Sequence, residues 1–195
     1  GNTIQLSTII NHISYLDLEA ELIFLSDNNY GQIEFNNGDI SPIKISKSGI
    51  PADLAIDALR HNAQSIIFTE TRRRAASIAK LIEKTASKFL NPDDLSNLNK
   101  LSEDLFSIGN NTELDKNLSR MIKNGVAFHH AGLNQNCRQT IETEFRKGTI
   151  KLLSSTPTLA AGVNLPARRV VISSINRYNA KVGANRPISI LEYKQ

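Results

Sequence analysis

Thr156-Pro157-Thr158-Leu159-Ala160-Ala161-Gly162-Val163-Asn164-Leu165-Pro166 is the stretch on which the reading of this chain turns. Lys151 to Ser155 leads into it and Arg168 to Ser173 leads out, and both runs have strand character. A short strand therefore ends in a Thr-Pro turn, one turn of small residues follows, and Gly162 precedes the next strand. Pro157 suits a first helical position and Thr156 its N-cap. Such an end leaves backbone N–H groups pointing beyond the strand, where a phosphate binds well. Gly162 reaches backbone shapes closed to other residues. The same chemistry also describes an ordinary strand–turn–strand connection, so the rest of the chain has to decide.

Outward from that stretch, strands and helices alternate. Pro51 opens a helix of about ten residues with Leu54, Ala55, Ala58 and Leu59 on one face. Ser65 to Thr69 reads as a strand buried on both sides. Arg72 to Phe89 is a long helix with Ala75, Ile78, Ala79 and Ile82 inward. Three arginines at its start, Arg72 to Arg74, oppose the helix dipole; residues set against local preference suggest a compensating anion, with a solvated basic turn as the alternative. Asn91 to Lys123 predicts two helices, broken at Gly109-Asn110-Asn111, whose leucine stripe serves packing. Val126 to His130 is a strand that brings His129 and His130 to its C-terminal edge, where α/β sheets gather ligands. On the residues alone, one core histidine and one surface histidine is the favoured reading. Asn134 caps a helix with Cys137, Ile141 and Phe145 inward, ended by Gly148. Tyr178 to Arg186 reads as a loop. Earlier in the chain, Ala20 to Leu25, Tyr30 to Phe35 and Ile43 to Ile45 predict strands, with turn chemistry at Asn36 to Asp39. The pattern is α/β, with a parallel sheet carrying helices on both faces.

Composition narrows the class. A chain of 195 residues with 40% apolar content can bury one sizeable core. It has no apolar run long enough to span a membrane and no signal-like start. A lone Cys137 gives no disulfide framework and suits a reducing, cytoplasmic setting. No metal-ligand spacing is present. Charge is uneven: residues 1–50 carry a net −4, 51–133 a net +1 and 134–195 a net +7. A basic final third suits a polyanion, though a solvated surface balanced elsewhere is also compatible.

The opening stretch resembles motif V of the superfamily-two helicases, in the form used by the Ski-like and archaeal DNA-repair branch. Phe68-Thr69-Glu70-Thr71-Arg72-Arg73 resembles their motif IV. Gly125-Val126-Ala127-Phe128-His129-His130-Ala131-Gly132-Leu133 resembles their motif IVa, and Ile190 to Gln195 the approach to motif VI. Ser7 to Asn11 is weakly similar to motif III, which closes the first lobe. The glycine- and arginine-rich part of motif VI is absent from this sequence, as are a Gly-Lys-Thr phosphate loop and an Asp-Glu-x-His box.

The resemblance implies the second RecA-like lobe of a P-loop NTPase-type helicase. Residues 1–50 would then be the end of lobe 1, a linker and a β-hairpin. Residues 51–195 would be the C-terminal lobe, with a helical insertion at about 91–123, cut before motif VI. It implies nucleic-acid contacts from Thr71, Arg72, His129, His130, Gly132, Thr156 and Thr158, and ATP-facing roles for Gly162 and Asn164. The intact parent would use ATP and Mg, pair this lobe with a first RecA-like lobe, and bind single-stranded DNA or, in the alternative, RNA. The chain alone would not hydrolyse ATP. A non-catalytic interaction module built on the same lobe is a further alternative. A dinucleotide-binding domain requires a Gly-x-Gly-x-x-Gly run that this sequence lacks.

Overall fold

Four strands run parallel through the centre of the molecule, in the spatial order Arg169–Ile172 (β8), Ser65–Phe68 (β5), Leu152–Ser155 (β7) and Val126–His129 (β6). The computed structural model describes residues 20–26, 29–36, 39–40, 44–47, 51–156, 159, 165–173, 176–179 and 184–187. Registers are unbroken: Ile66 pairs with Leu153 on one side and Val170 on the other, and Phe128 pairs with Ser154. Strand β6 is fully buried, as is β7. Strands covered on both faces show no alternation of apolar and polar residues, as in β6.

Beyond β8 the sheet continues. Ala20–Ser26 (β1) pairs parallel with β8, and Asn29–Asn36 (β2) folds back antiparallel on β1. The short strands Asp39–Ile40 (β3) and Lys44–Lys47 (β4) both pair antiparallel with β2. Asn176–Asn179 (β9) and Ala184–Pro187 (β10) form a separate antiparallel hairpin. That corrects the loop expected over Tyr178–Arg186: cross-strand pairing, which residue type alone does not reveal, organises this polar segment.

The helices follow from their apolar spacing. Pro51–Arg60 (α1) lies against β5, β8 and the long helix Arg72–Ala86 (α2), which crosses β7 to reach β6. Gln135–Arg146 (α5) returns from β6 to β7, moving across the sheet in the opposite direction. Right-handed crossovers then set α2 and α5 on opposite faces. Pro92–Ile108 (α3) and Glu113–Ile122 (α4) pack on each other, with α4 reaching β6 and α2 while α3 reaches α5. Their stripe, Leu98, Leu101, Leu105, Leu118, Met121 and Ile122, is buried in the common core, so it serves packing. Each of these two helices opens with a full capping box, from Asn91 with Asp94 and from Thr112 with Asp115. Asn134 caps α5 by accepting from Cys137 N, and Gly148, at φ 81°, takes the left-handed turn after it. Among the described residues no helix is long and apolar enough to cross a membrane.

Candidate nucleic-acid interface

Because β5, β7 and β6 are parallel neighbours, their C-terminal ends meet at one rim. Three separate sequence blocks converge there: Thr69 to Arg72 after β5, His130 to Gly132 after β6, and Thr156 after β7. Backbone bonds tie them together. Thr69 N donates to Ser155 O at 2.8 Å, and Thr156 N donates to His129 O at 3.2 Å. Ser155 Oγ lies 3.0 Å from His129 O and 2.9 Å from Thr156 O, so its proton serves the β6 and β7 ends at once. Thr69 Oγ1 reaches Thr71 O at 3.2 Å and Ser155 O at 3.4 Å. The rim is therefore one hydrogen-bonded unit, fixed before any ligand arrives.

Thr71 is exposed and caps α2, its Oγ1 accepting from Arg74 N at 3.1 Å. That use of the oxygen leaves the hydroxyl proton to donate outward. Arg72, Arg73 and Arg74 follow, all exposed, with no acid in the helix's first turn. Gly132 is exposed and approaches two of the other predicted residues. A Cβ placed on it would stand 3.0 Å from His130 Nδ1 and 3.6 Å from Arg72 Nη1. Its N–H donates to His130 Nδ1 at 3.1 Å, so in the neutral ring the proton sits on Nε2. The imidazole of His130 is 4% exposed and stacks on Phe128, with ring centres 5.4 Å apart. Burial and the neighbouring Arg72 guanidinium both push its pKa down. The ring is therefore neutral at pH 7.

His129 and Thr156 lie beneath the surface. His129 is buried, with Nε2 2.9 Å from Glu142 Oε1 on α5. Burial lowers its pKa, opposed in part by Glu142. Its Nδ1 is buried without a hydrogen-bond partner. Thr156 is 7% exposed, and its carbonyl accepts from Leu159 N at 3.1 Å. Pro157, Thr158, Gly162 and Asn164 lie outside the described residues, as does the tail from Ile190. Cys137 is buried, its thiol pKa raised by burial and by Asp115, which is the behaviour of a packing residue. Sequence reasoning missed Thr69, Ser155 and Glu142. The signal for Glu142 was an acid beside the inward stripe of the helix that follows two strand-end histidines. Among the described residues no three His, Cys, Asp or Glu side chains gather as a metal site.

Comparison with known proteins bears on this geometry. The helicase conserved C-terminal domain family matches residues 102–184. The chain is 42% identical over 142 residues to an ATP-dependent DNA helicase Hel308 from Methanocella arvoryzae, covering 73% of this chain and 19% of the relative. The helicase of the same name from Methanococcus vannielii is 41% identical over 163 residues, 83% of this chain and 21% of the relative. That of Pyrobaculum calidifontis is 35% identical over 166 residues, 85% of this chain and 23% of the relative. This chain belongs to the superfamily-two helicases. It carries their C-terminal, RecA-like α/β lobe. It spans about a fifth of the length of the curated relatives it matches. The rim described above is thus the strand-end rim of a helicase lobe, where the blocks resembling motifs IV and IVa meet Thr156, the first residue of the block resembling motif V.

Proposed function

We propose that this chain is the second motor lobe of an ATP-dependent DNA helicase, gripping single-stranded nucleic acid by its phosphates at the strand-end rim. The observation that carries the reading is the meeting of Arg72 and Gly132, from two distant sequence blocks, over the neutral ring of His130. An exposed guanidinium, a small residue that admits close approach and a helix N-terminus suit a phosphate backbone. Thr71, Arg72 and Gly132 make direct contact on this reading, joined by Thr158. His129, His130 and Thr156 form the floor that holds them. Gly162 and Asn164 face ATP on the strength of the motif V resemblance, and ATP with magnesium supplies the phosphoryl-transfer chemistry that drives the parent. The partner across the cleft is a first RecA-like lobe, and closure between the two advances the strand. Residues 51–195 form the lobe, residues of about 91–123 its helical insertion, and the strands of 20–47 extend its sheet from a linker. The relatives, named as DNA helicases, favour DNA over RNA.

The test is ATP hydrolysis by the intact protein, with and without single-stranded DNA, for wild type and Arg72→Ala. Loss of most of the DNA stimulation, with basal hydrolysis and ATP binding retained, is expected. Full stimulation of the variant would remove Arg72 from the interface, and stimulation by RNA alone would overturn the DNA assignment.

A further inference from the structure

Helix α2 leaves the rim and runs down the sheet carrying an unbalanced charge. It has five bases, Arg72, Arg73, Arg74, Lys80 and Lys84, against one acid, Glu83. Glu83 is buried, with Arg120 Nε of α4 3.3 Å away, so it neutralises none of the outer face. The neighbouring helices differ. α3 has four acids and one base, and α4 has two of each. A solvated helix face ordinarily intersperses both signs, and the outer face of α2 has no acid at all. At about 100° per residue, Arg73, Ser77, Lys80 and Lys84 fall within roughly a 60° arc. Lys88, in the following 3-10 turn, prolongs the row, and all five of these residues are exposed. Arg73, Lys80, Lys84 and Lys88 have no ion-pair partner among the described residues. The helix is 15 residues long, so the row runs about 22 Å from the rim.

We propose that this cationic row on the outer face of α2 is a second contact surface for nucleic acid, which guides a single strand by its phosphates as it continues from the rim. The inference rests on the reading of the rim as the nucleic-acid site. Continuity argues for it, because Arg73, at the head of the row, directly follows Arg72 of the rim. Shape argues for a single strand. A flexible strand can turn from the rim onto a convex helix, whereas a duplex stays straight over about 150 base pairs. Lysine suits the role, because its compact charge grips phosphate without fixed geometry and lets a moving strand slide.

The test is fluorescence anisotropy of this chain with a labelled 20-nucleotide single strand, titrated at several salt concentrations. The variants are Lys80→Gln/Lys84→Gln/Lys88→Gln, the matching triple Lys→Arg, and Arg72→Ala. Glutamine and arginine both keep helix propensity, and a thermal melt verifies each fold. The triple Gln variant is expected to bind at least tenfold more weakly at 0.1 M salt. Its salt slope should fall by about 2, from about 0.7 per phosphate contact. The triple Arg variant should keep the wild-type slope. An unchanged slope in the triple Gln variant, with Arg72→Ala still weakened, overturns the row and leaves the rim reading standing. Absence of binding by wild type overturns both. A larger loss on a 20-base-pair duplex than on the single strand overturns the single-strand assignment. Equal competition by polyglutamate of matched charge overturns nucleic acid in favour of an acidic protein.

Discussion

His129 Nε2 donates to Glu142 Oε1 across 2.9 Å, with both side chains largely enclosed. The same histidine's carbonyl receives Thr156 N and Ser155 Oγ. One residue thus connects helix α5 to the ends of β6 and β7. Glu142→Ala leaves both ring nitrogens of a buried histidine without a partner. The expected cost is about 1–3 kcal/mol, read as a lower urea midpoint at unchanged slope. Glu142→Gln keeps an acceptor oxygen and should recover most of the loss. Equal midpoints for wild type and Glu142→Ala would show that the contact contributes nothing.

Both rim histidines have pKa values below the ordinary 6.5, chiefly through burial, so the sign of the pH dependence is set. Glu142 and Arg138 act on His129, while Arg72 and His129 act on His130. As pH falls below 6.5 the unfolded chain takes up imidazole protons that the folded chain resists. Stability contributed by these groups is therefore complete above 6.5 and declines on acidification. The urea midpoint should drop between about pH 7.5 and 5.5, and His130→Gln should flatten part of that drop. A midpoint that rises on acidification would contradict the buried, neutral imidazoles.

Gly132 offers a sharper probe of binding as distinct from folding. An added Cβ would meet His130 Nδ1 at 3.0 Å and Cε1 at 3.1 Å. The ring is stacked on Phe128 and cannot retreat freely, so Gly132→Ala should lose the N–H to Nδ1 bond and shift the loop outward. Such a bond is worth about 0.5–1.5 kcal/mol. Affinity for a single strand should fall about two- to tenfold on that scale. Loss of that bond should lower the thermal midpoint by only a few degrees, without loss of cooperative folding. Wild-type affinity in this variant would take the glycine out of the interface.

How much of this was legible in the sequence depends on what each residue's role requires. The inward stripe of α2 and the Cys137, Ile141, Phe145 stripe of α5 follow from helical spacing, and all of those residues are buried. Caps at Thr71, Asn91, Thr112 and Asn134 are local chemistry, and each sits at the start of a helix. The hairpin of β9 and β10 was not legible, because its strands are rich in Asn and Arg and take their order from each other. Nor was the partnership of His129 with Glu142. The two are 13 positions apart and meet only because α5 folds back over β6. The row on α2 was half legible. Its arginines stand out in sequence, but the burial of Glu83 by Arg120, which removes the balancing acid, is tertiary.

The pair α3 and α4 is joined by a turn organised around one buried carboxylate. Asp115 Oδ2 accepts from Asn110 N, Thr112 N and Thr112 Oγ1, at 2.8–2.9 Å. Gly109 packs directly on this group; a Cβ there would come within 2.7 Å of Asp115 Cγ. Asp115→Ala removes the acceptor for all three donors and breaks the capping box, at an expected cost of about 2–3 kcal/mol. Met121 and Ile122, at the end of α4, belong to the same buried cluster as Phe128 of β6. Loosening of the turn should therefore reach the sheet. A thermal melt of Asp115→Ala should stay a single cooperative transition at lower temperature. Two transitions would show the helical pair unfolding independently of the sheet, and an unchanged midpoint would show the carboxylate to be dispensable.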